Sequence, residues 1–247
     1  MPHLVLHPKR TKNRADIGMA EPALAAYCIN LTTRPDKWKE TQATFEGTGL
    51  HLERFPGIYN AEGWKGCGAS HVAIARLALR HGLPWVLVIE DDCLPSEDFL
   101  ARWPAVRTAL WEDRGSWDIF LGGPTYVQGP IEPRKNGLIE IDQGFALHFY
   151  VLNASAYEKA LAWNPDRHGP IDVYYSDQYR VVTTHPILAV QRPGVSDIKQ
   201  EKADYTDHFE ETDRVLQSLL YSFDTRYGSL LLFISSVAIL VYLASKR

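Results

Sequence analysis

A chain of 247 residues with 45% hydrophobic and 23% charged residues has the composition of a globular protein with one sizeable core. Its formal net charge of -4, with no basic block beyond Lys9-Arg10-Thr11-Lys12, argues against nucleic acid as a partner. The three cysteines, Cys28, Cys67 and Cys93, cannot all pair within one chain and show no Cys-x-x-Cys spacing, so neither a disulfide framework nor a zinc site is supported.

Residues 1–22 read as an irregular leader, without the apolar core of a signal peptide. Ala26–Leu31 reads as a first strand, and Pro35 with Asp36 opens a helix that Gly47-Thr48-Gly49 ends. Leu50–Phe55 alternates apolar and polar residues and reads as a second strand. Gly63–Gly68 is expected as a glycine-rich loop, with Ser70 capping an alanine-rich helix over His71–His81.

Trp85–Asp92, WVLVIEDD, follows. Its five apolar residues suit a strand buried on both faces of a mostly parallel sheet, and such sheets bind ligands beyond the carboxyl ends of their strands. Glu90-Asp91-Asp92 repel one another. They form either a solvated acidic loop or a divalent-cation site.

A helix from Glu97 to Trp111, kinked at Pro104, leads to a strand at Trp117–Leu121, and Gly122-Gly123 lets backbone approach a ligand closely. Residues 124–142 are rich in Pro and Gly and read as a loop or hairpin insertion. Phe145–Leu152 is expected as a strand and Ala154–Trp163 as a helix. Pro170–Tyr179 reads as a short helix, and Val181–Ala189 as an extended segment broken by Pro186. Phe209, Thr212, Leu216, Leu219 and Phe223 recur at helical spacing. Gly228–Ala244 carries no charge and would cover about 26 Å as a helix, near the lower limit for a membrane span. A buried core helix is the competing reading.

Five stretches together resemble one family. Tyr27–Asp36 (YCINLTTRPD), Gly66–His71 (GCGASH), Leu83–Asp92 (LPWVLVIEDD), Trp117–Gly123 (WDIFLGG) and Ala189–Ile198 (AVQRPGVSDI) are similar, in order and spacing, to segments of the family 25 glycosyltransferases. That is the lipooligosaccharide and procollagen galactosyltransferase group. Thr32-Thr33, Gly68-Ala69 and Leu147-His148 depart from its pattern.

The resemblance implies a GT-A-like (Rossmann-like) α/β fold with a mixed, mostly parallel central sheet. It spans residues 23–200, between the leader and a helical stalk (201–227) and transmembrane anchor (228–244). It implies a metal-dependent transfer of a hexose, galactose first, from a UDP-sugar to a hydroxyl of a glycan or protein, with inversion. Mn²⁺ or Mg²⁺ would sit on the donor diphosphate, held by Glu90 and Asp92. His185 reads either as a further metal ligand or as a structural histidine before Pro186. Asn30, Thr33, Arg34, Ser70, His71, Asp91, Gly122, Gly123 and Asp197 are expected around the donor. Asp172 is the first candidate for general base, with helix capping as its other reading, and Asp177 is the reserve. The membrane is an expected partner through the anchor, with the catalytic domain expected on the cytosolic side and the lumenal side as the other reading. The alternative is a catalytically degenerate, membrane-tethered scaffold of the same fold.

Overall fold

The computed structural model describes residues 21–195 and 201–222. The leader up to residue 20, Asp197 and the expected anchor at 228–244 lie outside them. Among the described residues no helix is long and apolar enough to cross a membrane.

An eight-stranded mixed sheet forms the centre. In chain order its strands are β1 (Ala25–Asn30), β2 (Leu52–Pro56), β3 (Trp85–Glu90), β5 (Ile119–Leu121), β6 (Val127–Pro133), β7 (Ile139–Gly144), β8 (Phe149–Asn153) and β9 (Val181–Thr183). Their spatial order is β2-β1-β3-β8-β5-β9-β7-β6. The pairings make β7 and β8 run against the other strands, so β1, β2, β3, β5 and β9 point their carboxyl ends to one edge. A short strand β4 (Cys93–Pro95) pairs with β10 (Ala189–Gln191) beyond that edge.

The expectation for β3 holds in detail. Val86 and Val88 enter one core and Trp85, Leu87 and Ile89 the other, all at most 1% exposed. Burial of such aliphatic side chains contributes roughly 1.5–3 kcal/mol each. Helices α2 (Gly63–Arg80), α4 (Tyr157–Leu161) and α6 (Ile171–Gln178), the last preceded by the single turn α5 (Pro165–His168), supply the first core. The second core is built with Phe45, which caps α1 (Pro35–Thr44), and with α3 (Phe99–Glu112). The helix over 206–222 sends Phe209 and Leu216, 2% and 0% exposed, into the first core. The segment expected as a stalk therefore packs on the domain through its apolar stripe.

Residues 63–68 are not a loop. Helix α2 starts at Gly63, and its glycines are there for close packing. A Cβ on Gly66 would stand 2.4 Å from the Ile58 carbonyl oxygen, and one on Gly68 would stand 2.4 Å from the Trp163 ring. Glycine's low helix propensity led the sequence reading to a loop, but tertiary contact overrides it here.

Gly122 and Gly123, expected beside a ligand, are also sites of close packing. Both are buried. A Cβ on Gly122 would meet Phe149 at 2.3 Å, and one on Gly123 would meet the Ala189 carbonyl oxygen at 1.8 Å. Backbone does approach closely at this turn, but what approaches is the segment leading into β10: Leu188 N–H donates to the Gly122 carbonyl at 2.6 Å. Gly123→Ala is expected to destabilise the protein by about 3 kcal/mol through overpacking, read as a lowered urea midpoint with unchanged slope.

Candidate active site

The carboxyl ends of β1 and β3 lie side by side, with Ile29 in register with Glu90. This places Asn30 beside the three carboxylates. Asn30 is 1% exposed and fully engaged. Its Nδ2 donates to Asp91 Oδ2 at 2.6 Å and to the Arg34 carbonyl at 2.9 Å, and its Oδ1 accepts from Arg54 Nε at 2.8 Å. Lys37 Nζ lies 3.5 Å from Asp91 Oδ1. Asn30 and Lys37 thus hold Asp91 from the β1 side, and Thr41 Oγ1 donates to the Asp91 carbonyl at 3.0 Å.

Glu90 turns toward α2. Its Oε1 lies 3.2 Å from His71 Nε2 and 3.9 Å from Cys67 Sγ, while His71 Nδ1 sits 2.9 Å from the Tyr150 hydroxyl. Burial works to raise the Glu90 pKa, but the hydrogen bond with His71 prevails and the carboxyl sits below the ordinary glutamate value.

Asp92 is the carboxylate left over. Gln191 Nε2 reaches its Oδ2 at only 3.4 Å, and Oδ1 is buried with no hydrogen-bond partner among the described residues. Burial, with the charges of Glu90 and Asp91, pushes its pKa up to about 7. A buried carboxylate oxygen without a donor, next to two further carboxylates, fits a hard divalent cation, which would supply the missing partner. Glu90 and Asp92 are the residues that would hold it.

Asp172 stands in the first turn of α6, with Oδ1 accepting from the Val173 N–H at 2.9 Å. The helix N-cap is Pro170, so capping is not its role. Burial foremost, and then the charge of Glu90, holds its pKa above the ordinary aspartate value. Its charge is also felt at Cys67, which puts it within electrostatic reach of the cluster.

Other expected residues go elsewhere. Ser70 lies inside α2, where its hydroxyl donates to the Gly66 carbonyl and accepts from the Ile58 N–H, both at 2.8 Å; it is a packing residue, not a helix cap. Asp177 is exposed and accepts from Gln143 Nε2 at 2.9 Å. His185 is not brought to Glu90. It follows β9, three strands from β3 and hence roughly 14 Å away across the sheet, and its Nδ1 pairs with Asp213 at 3.0 Å. Thr33 is exposed in the turn after β1, and Arg34 pairs with Asp36 at 2.9 Å.

No protein-family model matches the chain, and no curated protein matches it. Among solved structures it is similar to A197 from STIV, at 12% identity and a TM-score of 0.43, covering 73% of this chain and 93% of that one. It is also similar to a glycosyltransferase involved in the glycosylation of the major capsid of PBCV-1. There the identity is 11% and the TM-score 0.49, with 78% of this chain and 100% of that one covered. A third likeness is to mannose-1-phosphate geranyltransferase from Thermus thermophilus, at 12% identity and a TM-score of 0.33, covering 64% of this chain and 58% of that one. Likenesses this distant carry no argument about activity, and the site's own geometry has to supply it.

Sequence reasoning missed four residues here. Lys37 and Arg54 look like ordinary surface charges on a helix and an edge strand. Cys67 carries no spacing signal. His148 sits opposite Glu90, whose N–H donates to the His148 carbonyl at 2.9 Å. Its ring is fully buried against Phe209, and both nitrogens lack a hydrogen bond of good geometry among the described residues. Burial lowers its pKa to about 4, so the ring is neutral at pH 7. The one available signal was its departure from the family pattern.

Proposed function

We propose that the chain is a metal-dependent glycosyltransferase that moves a hexose from a nucleotide sugar, UDP-galactose first and UDP-glucose second, to a hydroxyl of a glycan or protein. One observation carries the reading: a buried Asp92 oxygen with no hydrogen-bond partner among the described residues stands beside Glu90 and Asp91 at the carboxyl end of β3. That edge is where α/β sheets bind their ligands.

In this reading Glu90 and Asp92 would hold a cation, Mn²⁺ or Mg²⁺, which would supply Lewis-acid stabilisation of the departing nucleoside diphosphate. Asn30 and Lys37 fix Asp91 so that it faces the donor from the β1 side. Asp172 takes the acceptor hydroxyl proton. Its carboxyl is anchored by the Val173 N–H, and burial raises its pKa, the direction that suits a general base. The GT-A-like character of the fold and tethering through 228–244, with the domain on the cytosolic side, belong to the same proposal.

Release of the nucleoside diphosphate from a panel of nucleotide sugars, with Mn²⁺ present, tests it. Turnover is expected with UDP-hexoses and is expected to vanish with a chelator. An equal rate in the chelator contradicts the metal dependence, and a silent panel contradicts the transferase reading.

A further inference from the structure

We propose that Cys67, His71 and Glu90 form a site for a thiophilic divalent cation of the zinc type. Its ligand chemistry differs from that of the oxygen site at Asp92. Cysteine spacing along the chain gave no hint of it, because the three ligands come from a helix and a strand.

Cys67 and His71 stand four residues apart on α2 and so share one helix face, toward which Glu90 points from the end of β3. One ligand atom from each lies within 4.8 Å of the other two. Metal–ligand bonds of about 2.0–2.3 Å in a tetrahedron require ligand atoms roughly 3.3–3.7 Å apart. The His71 Nε2 to Glu90 Oε1 distance of 3.2 Å and the Cys67 Sγ to Glu90 Oε1 distance of 3.9 Å bracket that range. Only small side-chain shifts would close the site, leaving a fourth position open.

The surroundings are those of a ligand set. His71 is completely buried, and its other ring nitrogen lies 2.9 Å from the Tyr150 hydroxyl. A metal-binding imidazole is ordinarily oriented by such a partner. The thiol, by contrast, has a weak place in the hydrogen bonding, since at 3.9 Å it shares an acceptor that His71 already occupies. An ion can reach the cluster, because Cys67 is only half-buried and the Glu90 side chain is 21% exposed.

The charge balance is favourable. On binding, the S–H bond breaks, a sulfur–metal bond forms and one proton leaves to solvent. Bound through Nε2, His71 coordinates as a neutral imidazole whose proton sits on Nδ1 and faces the Tyr150 oxygen. A doubly charged ion with one thiolate and one carboxylate makes a neutral unit, which suits a buried position. A hard ion such as Mg²⁺ has no use for the sulfur. Because Glu90 belongs to both sets, a zinc-type ion held here draws it away from Asp92.

Titration of the full chain with Co²⁺ tests the assignment. A thiolate-to-cobalt charge-transfer band in the near ultraviolet is expected, lost in Cys67→Ser. No band in the wild type, or an unchanged band in Cys67→Ser, overturns the proposal. A second measurement needs no variant: alkylation of Cys67, followed by mass spectrometry, is expected to slow about 100-fold with Zn²⁺ at about 100 times its Kd. Unchanged alkylation overturns it equally. Neither readout uses a nucleotide sugar, so failure here leaves the transferase reading untouched, and the converse also holds.

Discussion

Asp92→Ala is expected to lower nucleotide-sugar turnover about a thousandfold while leaving the fold intact. A cation's charge stabilisation amounts to several kcal/mol of barrier, and each ~1.4 kcal/mol is tenfold in rate. Among the described residues Asp92 makes one long hydrogen bond through its side chain, so its removal takes little from the folded state. The conservative variant separates function from stability. Asp92's pKa is raised to about 7 in the folded protein, by burial and then by Glu90 and Asp91, from an ordinary value of 3.8. The unfolded chain is then ionised where the folded one resists ionisation. Its favourable contribution is complete below pH ~4 and is lost as pH rises through ~7. Asp92→Asn cannot ionise, so without metal it is expected to melt above the wild type at pH 8, by an amount of order 1–3 kcal/mol, and near it at pH 4. Thermal unfolding in a chelator at the two pH values checks this. A variant less stable at both would mean that the carboxylate is structural.

Asp118→Ala is expected to cost about 3 kcal/mol of stability, or roughly 6–12 °C in Tm. Asp118 is 2% exposed and is the hub of a charged network. It accepts from Ser155 Oγ at 2.6 Å, from Arg180 Nη2 at 2.8 Å and from both the Arg180 N–H and Nε at 3.1 Å. Lys159 stands 3.4 Å away. The network ties the start of β5 to the residue just before β9 and to the turn after β8. The cost falls at the low end for a broken buried pair because Arg180 and Lys159 keep solvent contact, with side chains 36% and 49% exposed. Burial alone would raise the Asp118 pKa, but the hydrogen bonds from Arg180 and Ser155 prevail and hold it far below the ordinary aspartate value. Its contribution is therefore complete above pH ~4 and lost as pH falls further. Urea midpoints at pH 7 and pH 3 check the sign: the difference between wild type and variant should shrink at the lower pH.

The central strands were legible because their cause is local. WVLVI is apolar without interruption, and only a position covered on both faces stabilises such a run; β3 occupies one. The acidic triplet at its end was legible for the same reason, since three adjacent like charges at the carboxyl end of a buried strand require something between them. Its internal division of labour was not. Strand alternation put Glu90 and Asp92 on one side and Asp91 on the other, but three partners from distant segments separate them: His71, Gln191 and Asn30. The glycines misled most. Gly66, Gly68, Gly122 and Gly123 looked like loop and ligand positions, yet each makes room for a neighbouring ring or carbonyl that only the tertiary structure supplies. His185 next to Pro186 carried two readings, and its pairing with Asp213 on the helix over 206–222 fits the structural one.

The most direct measurement of the central claim is the thermal stability of the full chain with Mn²⁺ and UDP together. If Glu90 and Asp92 hold a cation that in turn holds a nucleoside diphosphate, the pair at about 100 times its Kd stabilises the protein by about 2.7 kcal/mol, and Asp92→Ala abolishes the shift. An unchanged melting temperature, or an equal shift in Asp92→Ala, would contradict the account.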